Sequence, residues 1–152
     1  MTRDRDAIIK ALKPYFDITE LVCPDVYRKF GERAWQFFTT DALYGLLLLR
    51  ETILCRPMYI NNYKKGRTQR GLRCNICALV KGRATVYLSQ HVFGNAWDFD
   101  VDGMTAEQAR QEIKKKAHLF PGQIRLEKDK TWVHIDFLAM YGVTAKVYEF
   151  YG

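Results

Sequence analysis

The hydrophobic positions of this chain repeat with a helical period in its first third and with a strand period afterwards. Ile8, Ile9 and Leu12 share one side of a first helix, which Asp4 or Asp6 can cap and Pro14 stops. Residues 15–38 are mixed in pattern. Thr19-Glu20-Leu21 and Pro24-Asp25-Val26-Tyr27 read as short helix starts, with Gly31 as the break. Trp35, Phe37 and Phe38 are expected in the core. Thr40-Asp41 opens the strongest helix, predicted from Ala42 to about Leu54, and Arg56-Pro57 ends it. Leu43, Leu46, Leu47 and Ile53 give that helix a broad apolar face.

Beyond Pro57 the pattern changes. Met58-Tyr59-Ile60 reads as a short strand. Trp97 to Val101 alternates, with Trp97 and Phe99 on one face and Asp98 and Asp100 on the other. Thr105 with Gln108 forms a capping box for a helix reaching about His118, and Pro121-Gly122 closes it. Ile124-Arg125-Leu126, Thr131 to Phe137 and Ala145 to Phe150 complete the strands. The segment Asn61 to Lys81 is polar, basic and long for a plain connection, a feature common in functional loops. Helices first, then strands with one crossing helix, predict an α+β fold. With 152 residues the chain is expected to form a single domain, its 1–39 part helical and 40–152 its core.

Composition narrows the setting. Hydrophobic content of 48% and charged content of 27% describe a globular chain rather than a disordered one. No apolar run approaches the roughly 20 residues that cross a membrane, and Leu46 to Leu49 is far too short. The mixed-charge start Met1-Thr2-Arg3-Asp4-Arg5-Asp6 lacks the apolar core of a secretory signal, so a cytoplasmic location is expected. The net charge of +7 suits an anionic partner, although solubility alone would account for it equally well. Lys64, Lys65, Arg67, Arg70 and Arg73 cluster, while Lys114-Lys115-Lys116 reads as a solvated helix end. Tyr59 and Tyr63 lie near the basic loop, but no helix-turn-helix or RNA-binding signature is present, so no nucleic-acid partner is expected. Of the four cysteines, Cys74 and Cys77 have metal or redox spacing. No second such pair exists, and reduced structural thiols are the expectation.

The candidate chemistry lies in two short motifs. Ser89-Gln90-His91-Val92-Phe93-Gly94-Asn95-Ala96-Trp97-Asp98 contains a histidine and a carboxylate; Trp132-Val133-His134-Ile135-Asp136 contains a second histidine. Two of the chain's three histidines therefore fall in these motifs. Singly, each residue has an ordinary reading: a strand histidine is usually hydrogen-bonded, and an aspartate near a turn is usually a cap. Together, two histidines and one carboxylate are the three protein ligands of a catalytic zinc site with an open fourth position. Trp132, His134 and Asp136 share one strand face, and Val133, Ile135 and Phe137 the other. If the two strands are neighbours, Asp98 and His134 converge, and Gly94 lets the chain bend to bring in His91.

Ser-x-His-x-x-Gly-x-Ala-x-Asp, matched here by Ser89, His91, Gly94, Ala96 and Asp98, resembles the first signature of the D-Ala-D-Ala carboxypeptidase family of zinc peptidases. Phage L-alanyl-D-glutamate endolysins and, structurally, the Hedgehog signalling domain belong to the same group. Trp-Val-His-Ile-Asp at 132–136 is similar to the second signature, and Gly71-Leu72-Arg73-Cys74 lies where the family has an Arg-containing segment. The resemblance covers about residues 40–137. It implies N-terminal helices packed on a small, mainly antiparallel sheet that carries zinc on His91, Asp98 and His134. It also implies an activated water, and Arg73 at the carbonyl oxygen or carboxylate of a peptidoglycan stem peptide, with Arg67 and Arg70 close by in sequence. The implied setting is a monomeric wall-lytic enzyme of phage or prophage type, waiting in the cytoplasm. Many family members carry an acid three residues before the last histidine; Thr131 stands there and cannot serve as a base. Glu127, across the turn Lys128-Asp129-Lys130, is the preferred base; Asp136 is the other candidate, or a residue that orients a ligand. Ser89 is expected to support the ligands or to be a turn residue rather than a nucleophile, because a serine nucleophile needs a base and both histidines are committed as ligands. A zinc-binding domain that recognises a wall or partner protein without cutting is the alternative.

Overall fold

The structure, a computed structural model, describes residues 3–152. Four α-helices and a five-stranded mixed sheet form an α+β fold. Helix α1 (Arg5–Leu12) starts on Asp4, whose carboxylate accepts from the backbone N–H of Asp6 and Ala7. Helix α2 (Pro24–Phe30) begins on its proline and ends at Gly31, which adopts φ 55°. Helix α3 (Thr40–Leu48) is capped by the Thr39 hydroxyl, which accepts from Ala42 N–H, rather than by the expected Thr40-Asp41 pair. The single helix expected over 42–54 instead widens into a π turn, Leu49–Ile53. Leu54 N–H bonds back to the Leu49 carbonyl, and the extra residue in that turn lets Leu49, Ile53 and Leu54 all reach the core. Helix α4 (Ala106–Lys115) starts with the expected Thr105/Gln108 capping box, then tightens to a 3-10 turn at Ala117–Leu119.

One core expectation fails. Ala34, Trp35 and Phe38 are buried, but Phe37 is 37% exposed and only stacks edge-on against Phe30. Residues Gly31–Phe37 form 3-10 turns, whose three-residue period turns position 37 outward while 35 and 38 face inward.

The strands are β1 (Met58–Tyr59), β2 (Ala96–Val101), β3 (Ile124–Glu127), β4 (Val133–Asp136) and β5 (Val147–Phe150), in spatial order β1-β2-β4-β3-β5. Every neighbouring pair is antiparallel except β3 with β5. Two strands are shorter than their patterns predicted. Before β4, the Arg110 guanidinium takes the carbonyls of Lys130 and Trp132, so these do not join a ladder. Before β5, the Gln123 amide takes those of Val143 and Ala145. Trp97, Phe99, Ile124, Leu126, Val133 and Ile135 are fully buried on the helix side of the sheet. Leu12, Phe16 and Leu21 belong to the same apolar cluster as Phe137, so residues 3–39 share one core with the sheet. No helix among the described residues is long and apolar enough to cross a membrane.

Gly94 makes a close turn just before β2. It holds φ +65°, and a Cβ there would collide with the Phe37 carbonyl oxygen. Its own carbonyl accepts from Thr39 N–H at 3.0 Å, tying this turn to the start of α3. Gly94→Ala is therefore expected to lower unfolding stability by about 2 kcal/mol or more in urea titrations. A loss within about 0.5 kcal/mol, typical of a neutral surface change, would contradict this placement.

Candidate metal centre

Register delivers the site. In the β2–β4 pair Asp98 lies directly opposite His134, and in the β3–β4 pair Arg125 lies directly opposite Asp136. Residues opposite one another project to the same face, so these four form a polar row on the face away from the helices. His91 enters from the turn before β2. Segment 70–73 runs beside it: Asp98 N–H donates to the Arg70 carbonyl at 2.8 Å, and Arg73 N–H to the His91 carbonyl at 3.2 Å. One ligand atom each from His91, Asp98 and His134 lies within 4.8 Å of the others, and all three residues are buried.

The outer nitrogen of each imidazole is fixed as a donor. His91 Nδ1 is 2.8 Å from the Gly71 carbonyl, which can only accept. Its Nε2 is left as a lone pair, 3.2 Å from Asp98 Oδ2, and makes no hydrogen bond despite complete burial. His134 Nε2 is 2.9 Å from Asp136 Oδ2, which leaves Nδ1 facing Asp98 Oδ1 at 2.7 Å. His134 Nδ1 bonds the Asp98 carboxylate while the His91 Nε2 lone pair beside it has no partner; a divalent cation in place of the His134 Nδ1 proton would satisfy both rings and the carboxylate. Outward nitrogens bonded to a carbonyl and a carboxylate are the usual support of such a site. Burial pushes His91 down, toward the neutral imidazole a metal needs. Burial works against charge on His134 too, but the bonds to Asp136 and Asp98 outweigh it and raise its pKa to about 9. Burial likewise opposes the Asp98 carboxylate, and the flanking imidazoles hold it well below the usual carboxylate range. Zinc fits these residues: two imidazole nitrogens and one carboxylate, with room on the open side.

Asp136 is fully buried and has both oxygens engaged. Arg125 grips it in a fork, Nε to Oδ1 at 2.7 Å and a terminal nitrogen to Oδ2 at 2.9 Å, while Oδ2 also takes His134. Burial opposes its charge, yet those bonds hold its carboxyl below the usual range. This geometry makes Asp136 the residue that orients His134.

A cavity of about 540 Å³ opens over the three ligands, and Arg73, Glu127 and Trp132 line it together with them. Arg73 is pinned by the Gln69 carbonyl and the Tyr87 hydroxyl, at 2.7 and 2.9 Å, and its remaining terminal nitrogen lies 3.4 Å from Asp98 Oδ2. Arg67 and Arg70 point elsewhere, both paired with Asp100. Glu127 sits at the cavity wall with Lys130 Nζ 3.5 Å away and Gly152 packed against its carboxylate. Ser89 accepts from His91 N–H at 3.3 Å, the turn role expected of it. Thr131 is not among the residues lining this cavity, and the third histidine, His118, is exposed beyond α4.

Two contributors were not singled out from the sequence. Arg125 was legible in principle, since the alternation of β3 puts Arg125 and Glu127 opposite Ile124 and Leu126. Tyr87 lies in an irregular stretch with no periodic signal. No protein-family model, curated protein or solved structure matches the chain.

Removing the oriented carboxylate without changing shape isolates its effect. Asp136→Asn is expected to weaken zinc binding about 10- to 100-fold in a chelator competition. Unchanged affinity would show that Asp136 does not support His134 as a ligand.

Proposed function

We propose that the protein is a zinc peptidase that hydrolyses a peptide bond in peptidoglycan stem peptides, on a fold of the Hedgehog and D-Ala-D-Ala peptidase type. The observation that carries this reading is the convergence of both signature motifs on one open cavity: His91, Asp98 and His134 cluster beneath it, with the buried His91 Nε2 left without a partner. Zinc held by these residues supplies Lewis acidity, which acidifies water and polarises a peptide carbonyl.

The chain's own residues divide the remaining work. Glu127, a carboxylate on the cavity wall, takes the proton of the attacking water and returns it to the leaving amine. Arg73, its guanidinium fixed by Gln69 and Tyr87, binds the carbonyl oxygen as negative charge develops, or anchors a substrate carboxylate. Asp136 and Arg125 keep His134 Nε2 protonated and its ring in place. Arg83 adds positive charge at the opening, which suits the carboxylates of stem peptides and the polyanionic wall.

A second reading is a zinc-binding recognition domain that does not cut. It is favoured by Thr131, which stands where an acid is usual and lies off the cavity.

Mass spectrometry of fragments released from purified peptidoglycan separates the two. The zinc-loaded protein is expected to release stem-peptide fragments, and Glu127→Gln to lower the rate by about 10²–10⁴-fold with zinc retained. Zinc-loaded protein that releases nothing from any wall preparation would overturn the peptidase reading. Full activity in Glu127→Gln would remove Glu127 as the base.

A further inference from the structure

We propose that Cys23, Cys74, Cys77 and Asp25 form a second zinc site, structural rather than catalytic, that ties the N-terminal helices to the long basic segment. The proposal does not rest on the peptidase reading. One ligand atom from each of the four residues lies within 4.8 Å of all the others. The Sγ atoms of Cys74 and Cys77 are 3.8 Å apart. Two sulfurs bound to one tetrahedral zinc at about 2.3 Å are separated by about 3.8 Å. A disulfide would require about 2.05 Å. All the thiols concerned are free, and Cys55, the remaining one, is exposed and bonds the Glu51 carbonyl instead.

The backbone is built to bring these sulfurs together. Cys77 N–H donates to the Cys74 carbonyl at 3.3 Å, and the Cys77 carbonyl takes Val80 and Lys81 N–H at 2.9 and 2.7 Å. This winds residues 74–81 into a compact knuckle. Cys23 arrives from the other side through a parallel bridge between Val22 and Leu72, with Cys23 N–H on the Leu72 carbonyl and Leu72 N–H on the Leu21 carbonyl. That approach needs Gly71, because a Cβ there would strike the Leu21 carbonyl oxygen. The sequence signal was hidden because the partner of the Cys74/Cys77 pair is a single cysteine far upstream rather than a second close pair.

Donor chemistry and surroundings select the ion and its role. Three sulfurs with one carboxylate suit zinc and complete a four-ligand tetrahedron, the closed arrangement of structural sites. Asp25 is steadied by Arg28, 3.0 Å from its Oδ1, which also offsets the negative charge of the donor set. Residues 74–95 contain no helix or strand, so few ladder bonds order this stretch. An ion at its start would fix Gly71 and Arg73, whose backbone bonds hold His91.

Cobalt titration of the metal-free, reduced full-length protein tests this. A sulfur-to-cobalt charge-transfer band is expected to grow to about one equivalent per chain. The band should persist in His91→Ala and disappear in Cys74→Ser and in Cys23→Ser. In the wild type, free zinc at about 100 Kd should slow thiol labelling of Cys23, Cys74 and Cys77 roughly a hundredfold, with Cys55 unaffected. Labelling needs no variant, so it decides the matter even if the serine variants fail to fold. Cobalt binding without the charge-transfer band, or labelling of these thiols at the same rate with and without zinc, overturns the proposal.

Discussion

The pairing of β2 with β4 that sets Asp98 opposite His134 is the constraint on which the rest depends. Side chains alternate along a strand, so a one-residue slip of β4 against β2 would turn His134 into the core and Ile135 out of it, away from Asp98. Trp97, Phe99, Val133 and Ile135 are each fully buried on the helix side. Burying a large apolar side chain contributes about 1.5–3 kcal/mol, so four together outweigh the cost of seating polar groups on the other face. The apolar face thus fixes the register, and the register positions the ligands. Arg125 and Asp136 follow from the same logic one strand further along.

Placing two carboxylates and two imidazoles under cover would be costly if they were unpaired. Asp136 is neutralised by a forked Arg125, and Asp98 is flanked by both rings and approached by Arg73. What the protein's own groups leave unsatisfied is concentrated at one point, the His91 Nε2 lone pair beside an Asp98 oxygen. A native fold rarely leaves a buried polar atom without a partner unless something else is meant to bind it. That single atom turns a polar cluster into a candidate metal centre.

Much of this was legible in the residues. The alternation of Trp97-Asp98-Phe99 and of Val133-His134-Ile135 set which side chains face the site, and the capping residues marked α1 and α4. Local pattern does not carry what distant groups decide. The π turn after α3 and the outward turn of Phe37 depend on hydrogen-bond periods that apolar spacing does not distinguish. Strand β4 starts late because a side chain from α4 captures two carbonyls. Among three nearby arginines, only the tertiary pairing of Arg67 and Arg70 with Asp100 singles out Arg73. Cys23 joins Cys74 and Cys77 through a backbone bridge that no spacing rule encodes.

The unpartnered His91 Nε2 leaves a place for one divalent cation between His91, Asp98 and His134. Anomalous diffraction at the zinc edge from crystals grown with zinc tests it most directly. A peak bonded to His91 Nε2, His134 Nδ1 and an Asp98 oxygen is expected, at about 2.0–2.2 Å from each. A zinc-saturated crystal with no peak there, and with His134 Nδ1 still hydrogen-bonded to Asp98, would contradict it.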